Sequence, residues 1–318
     1  MNRYLLTRLL SMIPVVLLVT LFVFVMGRLI PGDPLLQLIP PEEARTLTAD
    51  QLQRMRQAYG LDDPIPVQYA NWFVGLVQGD LGNSIRTQQP VVHLIIQRLP
   101  VTGQLALLSM MISLSVGIPL GVLAALRPRT TSDSIASITA LIGVSMPNIF
   151  LATALIFIFA YTLRLMPSGG FVPFASAPLE SLKYTLMPAV TLGTGLMGSV
   201  MRITRTSMIE VLNLDYISTA RAKGLSEQRV IYRHALKNAF IPVLTVIGLQ
   251  IGGILGGSFI VEQIFAIPGV GRLAVNSIFA RDYPTVQGVV LFIALVYLAV
   301  NLIVDLVYAA LDPRIRYG

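Results

Sequence analysis

The sequence contains no cysteine and only two histidines, His93 and His234, far apart along the chain. Without thiols there is no disulfide, no cysteine zinc site and no thiol nucleophile. Neither histidine has the partner spacing of an HExxH helix, so each reads as a polar or packing residue rather than a metal ligand. No G-x4-G-K-[ST] run occurs and no glycine is followed by lysine. A P-loop that cradles nucleotide phosphates therefore cannot be built from this chain. Serines in the apolar stretches have no histidine base beside them, and Asp305 has no second carboxylate at the same depth. That argues against an intramembrane protease or lipid hydrolase. The net charge of +7 is scattered between apolar runs instead of being gathered on one polar face. It does not read as a nucleic-acid surface.

The densest polar stretch is 210–242, EVLNLDYISTARAKGLSEQRVIYRHALKNAFIP. Asp215 is placed to cap a short helix over 216–223, Gly224 to end it in the left-handed conformation, and Ser226 to cap a second helix whose first residue, Glu227, suits the positive helix end. At ~1.5 Å per residue the first helix is roughly 12 Å long, too short to span a bilayer and too polar to lie in it. A solvated loop is the plainer reading. A short, capped helix with small Ala220 and Ala222 beside Arg221 and Lys223 fits better as a plug for a groove in another protein.

The elements that must position this plug are set by composition. The 318 residues are 54% hydrophobic and 12% charged, with mean hydropathy +0.73, too apolar to coat a soluble globule of this size. Six charge-free stretches, 9–27, 101–126, 134–163, 184–201, 239–261 and 283–304, approach or exceed the ~20 apolar residues a membrane helix needs. Pro119 and Pro147 predict bends in the second and third. The first is longer than the ~7–15 residues of a signal-peptide core and no A-x-A site follows it, so it reads as an uncleaved span. Thirteen Lys or Arg then fall on one side of the six spans, while the short loops opposite carry four, Arg164, Lys183, Arg272 and Arg281. The positive-inside rule makes both termini and 210–242 cytoplasmic. Residues 1–30 form the first span and its end, 31–100 an extracytoplasmic cap, 101–311 a five-helix core with the coupling loop 204–242, and 312–318 a tail. In the cap, 49–59 reads as a helix and Tyr69, Trp72 and Phe73 as an interfacial anchor. Residues 267–281, with Pro268, Gly269 and Gly271, read as a turn followed by a short helix.

Inside the spans, Gly248, Gly252 and Gly256 recur every four residues. Such a stripe lets helix backbones approach closely, or lines a pore with backbone. Gly193, Gly195 and Gly198 make a weaker version. Asn148, Gln250 and Ser258 are candidates either for lining a weakly binding pathway or for interhelical hydrogen bonds. Asp305, one turn after Asn301, is expected to pair with Arg202 or Arg205, proton relay being the other reading.

The polar stretch resembles the EAA loop of ABC importer permeases, E-A-A-x3-G-x9-I-x-L-P. Ser218, Thr219, Ala220 and Gly224 stand at the E, A, A and G places, and His234, Leu236 and Lys237 at the I, L and P places. DYISTARAKGL followed by HALKNAFIP is similar to the variant of the dipeptide and oligopeptide permease family. RLIPGDP, GDLGNSI, VVHLIIQRLP, FAIPGVGRLAVNSIFARDYPTVQG and DPRIRYG agree with that family across nearly the whole chain. At Val101-Thr102-Gly103-Gln104 the chain departs from the Thr-Leu pair and acidic residue common there. The resemblance implies an all-α integral membrane protein, a six-helix bundle of the type I ABC importer permease fold with its cap and cytoplasmic coupling helix. Asp215, Tyr216, Thr219, Ala220, Arg221, Ala222, Lys223 and Gly224 would then contact an ATPase. It further implies a second, homologous permease, two ABC ATPases that bind the ATP and magnesium, an extracytoplasmic binding protein, and no cofactor on this chain. Peptide is the implied cargo, with nickel, glutathione or short oligosaccharides carried by other members. A self-contained ion-coupled carrier, which usually shows inverted repeats and buried ionisable groups, is the reading from another class.

Overall fold

The structure, a computed structural model, describes residues 2–29, 35, 46–58 and 60–311; side chains at 2–7, 9, 255–257, 305 and 308–311 lie outside that description. RLIPGDP after its first two residues, most of the proline-rich stretch before 46, the tail DPRIRYG and the Asp305 carboxylate therefore lie outside it as well. The described residues are helical, with one isolated β-bridge between Asn83 and Pro90. In chain order the helices are α1 (Asn2–Leu29), α2 (Ala49–Ala58), α3 (Ile65–Val77), α4 (Val91–Leu126), α5 (Thr131–Ser145) and α6 (Asn148–Leu155). They continue with α7 (Pro178–Leu212), α8 (Asp215–Ala222), α9 (Glu227–Arg229), α10 (Leu236–Ile264), α11 (Val270–Phe279) and α12 (Tyr283–Leu311). Two π-helical segments, Ile156–Thr162 and Val230–Ala235, follow α6 and α9 without a break.

Five helices are long and apolar enough to cross a membrane, within Leu10–Leu29, Val91–Leu126, Pro178–Leu212, Glu227–Ile254 and Tyr283–Val304. The sixth expected span is a pair, α5 and α6 with its π-helical end, bent by 101°. Pro147 predicts a bend, and the structure gives a break. Met146 (ψ 119°) and Pro147 (ψ 135°) are both extended, because a proline has no N–H to donate and its ring disfavours helix at the residue before it. The helix ends on Met146 N–H donating to Ile142 O at 2.9 Å, and the next begins on the Pro147 carbonyl, which accepts from Phe150 N at 3.0 Å.

The chain folds as two compact units, each with its own packing. One comprises 101–268 and 299–318. Its most enclosed helix is α7, with 56% of its apolar window buried. The reason is its glycines. A Cβ on Gly193 would lie 2.9 Å from Ser109 O of α4, and one on Gly198 would collide with Ala140 O of α5. From the other side, a Cβ on Gly121 would lie 2.7 Å from Met201 O and one on Gly143 2.8 Å from Thr194 O. Backbone thus meets backbone where packing, not water release, drives association. The fourth-span glycines, the weaker case on sequence, meet neighbouring backbone, where Gly248 of the fifth meets a side chain, that of Val304. Asp133 then pins α5 to α7: Arg205 donates Nε to Oδ1 at 2.6 Å and Nη2 to Oδ2 at 2.8 Å, and Arg129 N–H adds a third bond at 2.9 Å. Arg205, one of the two partners expected for Asp305, makes its bonds to Asp133, and the Asp305 side chain lies outside the described residues.

The other unit comprises 2–100 and 269–298. Here α3, not foreseen from the sequence, lies on α1: Thr20 Oγ1 and Tyr69 OH are 2.8 Å apart, and Phe24 meets Tyr69 edge-on at 5.5 Å and Trp72 at 5.7 Å. Tyr69 and Trp72, two of the three aromatics expected to anchor in the interface, are half-buried against the first helix. Asp282, 4% exposed, accepts from Ser84 Oγ at 2.5 Å, Ile85 N at 3.1 Å and Thr285 Oγ1 at 2.8 Å. One carboxylate thereby starts α12 and holds the loop that carries GDLGNSI.

Candidate functional site

The candidate plug, α8, is anchored from below by Ile217 and Ala220, 0% and 8% exposed, which join a cluster with Val122 and Ala125 of α4, Met208 of α7, Val230 and Ile231 of the second π-helical segment, and Ala239 of α10. The i, i+3 spacing of Ile217 and Ala220 puts both on one face. Ala220 was expected to meet a partner; it faces its own bundle instead. Asp215, Tyr216, Ser218, Thr219, Arg221, Ala222, Lys223 and Gly224 remain exposed. Asp215 is the first helical residue, not the cap: Leu214 holds that position and no side chain caps the helix. Its negative charge still lies in the first turn, where the helix dipole favours it. Ser226 does occupy the cap position of α9, without a side-chain bond.

Gly224 ends α8 at φ +77°, as its type requires. Across this turn Arg221 donates Nε and Nη2 to Glu227 at 3.2 and 2.8 Å. That hydrogen bond raises the Arg221 pKa above its ordinary value, against a smaller lowering by desolvation. Both partners are exposed, so the bridge orients the turn more than it stabilises it. Tyr216 ties the other end: Asn238 Nδ2 donates to its hydroxyl at 2.7 Å, and the hydroxyl donates to His234 O at 3.4 Å. The expected second helix does not stand alone, since α9, the π-helical segment and α10 are continuous. One turn therefore joins α8 to a helix long and apolar enough to cross a membrane.

The remaining candidates are dispersed. Gln250 spans α10 to α7 by donating Nε2 to Leu196 O at 3.1 Å, and it also borders a groove of about 490 Å³ with Ser199, Arg202 and Gly253. The expected interhelical hydrogen bond is thus present. Ser258, 0% exposed, donates to Glu262 Oε1 at 3.1 Å, and Thr102 of α4 donates to the same oxygen at 2.8 Å. It lines no open surface, which corrects the pathway reading. The segment that departs from the family pattern makes these bonds, since Gln104 Nε2 also donates to Ser181 Oγ at 2.8 Å. Asn148 is half-buried at the start of α6. A Cβ on Gly248 would collide with Val304, and Gly252 is buried, so these two positions pack within the bundle. The surroundings of Gly256 lie outside the description. His93 pairs with Gln97 at 2.7 Å, and among the described residues no group of three or more His, Asp or Glu could hold a metal. Ile217, Asn238 and Glu262 were missed on sequence; helical spacing alone could have found the first.

Comparison with known proteins adds the following. Residues 117–317 match the model described as binding-protein-dependent transport system inner membrane component, and residues 1–106 match its N-terminal companion. A putative peptide transport system permease protein of Brucella abortus (strain 2308) is 43% identical over 317 residues, covering 100% of both chains. The oligopeptide transport system permease protein AppB of Bacillus subtilis (strain 168) is 41% identical over 320 residues, again covering 100% of both. A solved inward-facing form of the MetNI methionine ABC transporter has a chain 17% identical, with TM-score 0.57, covering 69% of this chain and 96% of that one. The last likeness concerns the fold.

Proposed function

The chain belongs to the family of binding-protein-dependent transport system inner membrane components, and from that premise we propose that it forms half of the pathway of an ATP-driven peptide importer. A second, similar permease completes the pathway, an extracytoplasmic binding protein delivers di- or oligopeptides, and two partner ATPases hold the ATP and magnesium. Both termini and α8 lie on the cytoplasmic side, in keeping with the excess of Lys and Arg there. The observation that carries this reading is α8 itself, a helix of eight residues anchored by Ile217 and Ala220 and exposed on its other face. Closure of the ATPases on ATP pushes α8 as a rigid unit, and the continuous helix beyond it rocks the bundle between inward-open and outward-open states. Curated relatives named for peptide and oligopeptide transport support the cargo.

The test reconstitutes the chain with its companion subunits in proteoliposomes and follows labelled trialanine. Thr219→Arg, on the exposed face, should reduce uptake by at least about tenfold while the ATPases go on hydrolysing ATP. Uptake at the wild-type rate removes α8 as the coupling element. Failure of the wild-type complex to import any of a panel of di- and tripeptides removes the peptide reading.

A further inference from the structure

In the unit formed by 2–100 and 269–298, the last turns of α1, helix α3 and the start of α12 enclose a cavity of about 520 Å³. That volume lies in the range of small-ligand sites, roughly 300–1,000 Å³. Gly27 keeps it open, since a Cβ there would collide with the Gln287 amide that borders the same space.

Two groups in the lining have capacity to spare. The Arg28 guanidinium lies 5.2 Å over the Phe24 ring and has no carboxylate partner among the described residues. Asp80 accepts from Gly82 N–H through Oδ1 at 2.8 Å, leaving Oδ2 available. Gln68 spends its amide protons on Leu61 O at 2.9 Å and Asp63 O at 2.7 Å and so fixes the wall of the cavity. A simple anion would satisfy Arg28 but be repelled by Asp80. A simple cation would fail in the opposite sense.

We infer that this cavity binds a zwitterion, with its anionic oxygens on Arg28 and its ammonium on Asp80. Two sources share that chemistry: the aminoethyl phosphodiester headgroup of a lipid, and a free short peptide. Leu18, Phe22 and Leu29 stay exposed along α1, a surface on which acyl chains can lie beneath a bound headgroup. The inference does not depend on the import reading.

Calorimetric titration of the purified full chain in detergent tests it with three probes: dihexanoyl-phosphatidylethanolamine, dihexanoyl-phosphatidylglycerol and trialanine. Saturable binding of the ethanolamine lipid or of trialanine is expected, and whichever binds names the source. Arg28→Gln and Asp80→Asn should each weaken it about tenfold, the size of one charge-assisted hydrogen bond. Asp80 is exposed, so D80N keeps the prediction testable if R28Q fails to fold. The inference is overturned if neither zwitterion binds, if D80N leaves affinity unchanged, or if the glycerol lipid, which has no ammonium, binds as tightly.

Discussion

Gly224 sits at φ +77° with no atom within 4 Å of where a Cβ would stand, so a side chain there strains the backbone without striking a neighbour. An L-residue in this region costs ~1–2 kcal/mol, most for a β-branched one. Gly224→Val should therefore leave the bundle folded and copurifying with its partners, yet shift the direction in which α8 leaves the turn. Trialanine uptake by the reconstituted complex is expected to fall at least about tenfold, and Gly224→Asn, which tolerates this conformation, to keep most of it. Equal uptake by the valine variant and wild type would show that the turn geometry is not needed. Asp133 and Glu262 belong to the same scale with a different role. Each is a carboxylate nearly or wholly removed from solvent, held by Arg205 in one case and bonded by Thr102 and Ser258 in the other. Removing one member of such a cluster strands the rest, which is why a buried pair resists loss more than an exposed one.

At the scale of elements, α8 is held at one end by the Tyr216 hydroxyl and at the other by the Arg221–Glu227 bridge, with the π-helical segment Val230–Ala235 between it and α10. A π-helical turn carries wider hydrogen-bonded rings than an α-helix and often marks a functional site. Tyr216→Phe and Asn238→Ala both remove the bond between these two residues, Tyr216→Phe losing the longer one to His234 O as well, so each should lower the peptide transported per ATP hydrolysed by a few-fold, and the double variant should be no worse than Tyr216→Phe. A coupling ratio that falls additively would mean that the two residues act separately. The position of α8, its stop at Gly224 and the six apolar stretches were legible because local rules fix them: propensity, left-handed glycine and apolar length. What was not legible depended on partners distant in sequence. Ala220 looks as exposed as Ala222 until Val122 and Met208 are brought beside it. Helix α3 begins at Ile65 and Pro66, and its aromatics suit a membrane interface as well as they suit Phe24. The glycines of α7 show no longer stripe than those of α10, and only the neighbouring atoms reveal which meet backbone and which a side chain.

For the whole molecule, the decisive question is whether the pair α5–α6, bent by 101°, crosses the membrane or turns back within it. Between Gln89 and Ser218 lie α4, this pair and α7. If the pair counts as one crossing, three crossings separate the two residues and they face opposite sides. If it re-enters, two crossings separate them and they share a side. Charge argues for the first arrangement. A re-entrant pair would put the loop with Arg164 and Lys183 beside Arg127 and Arg129 and blunt the thirteen-to-four bias in Lys and Arg. The chain has no cysteine, so Gln89→Cys and Ser218→Cys, both exposed, are single reporters that need no background removed. With an impermeant maleimide on intact cells stripped of their outer barrier, Cys at 89 should label at once and Cys at 218 only after the membrane is opened. Labelling of both from outside would place α8 where no ATPase can reach it. Labelling of neither would put the cap on the inner face and reverse the direction in which the bundle meets its binding protein.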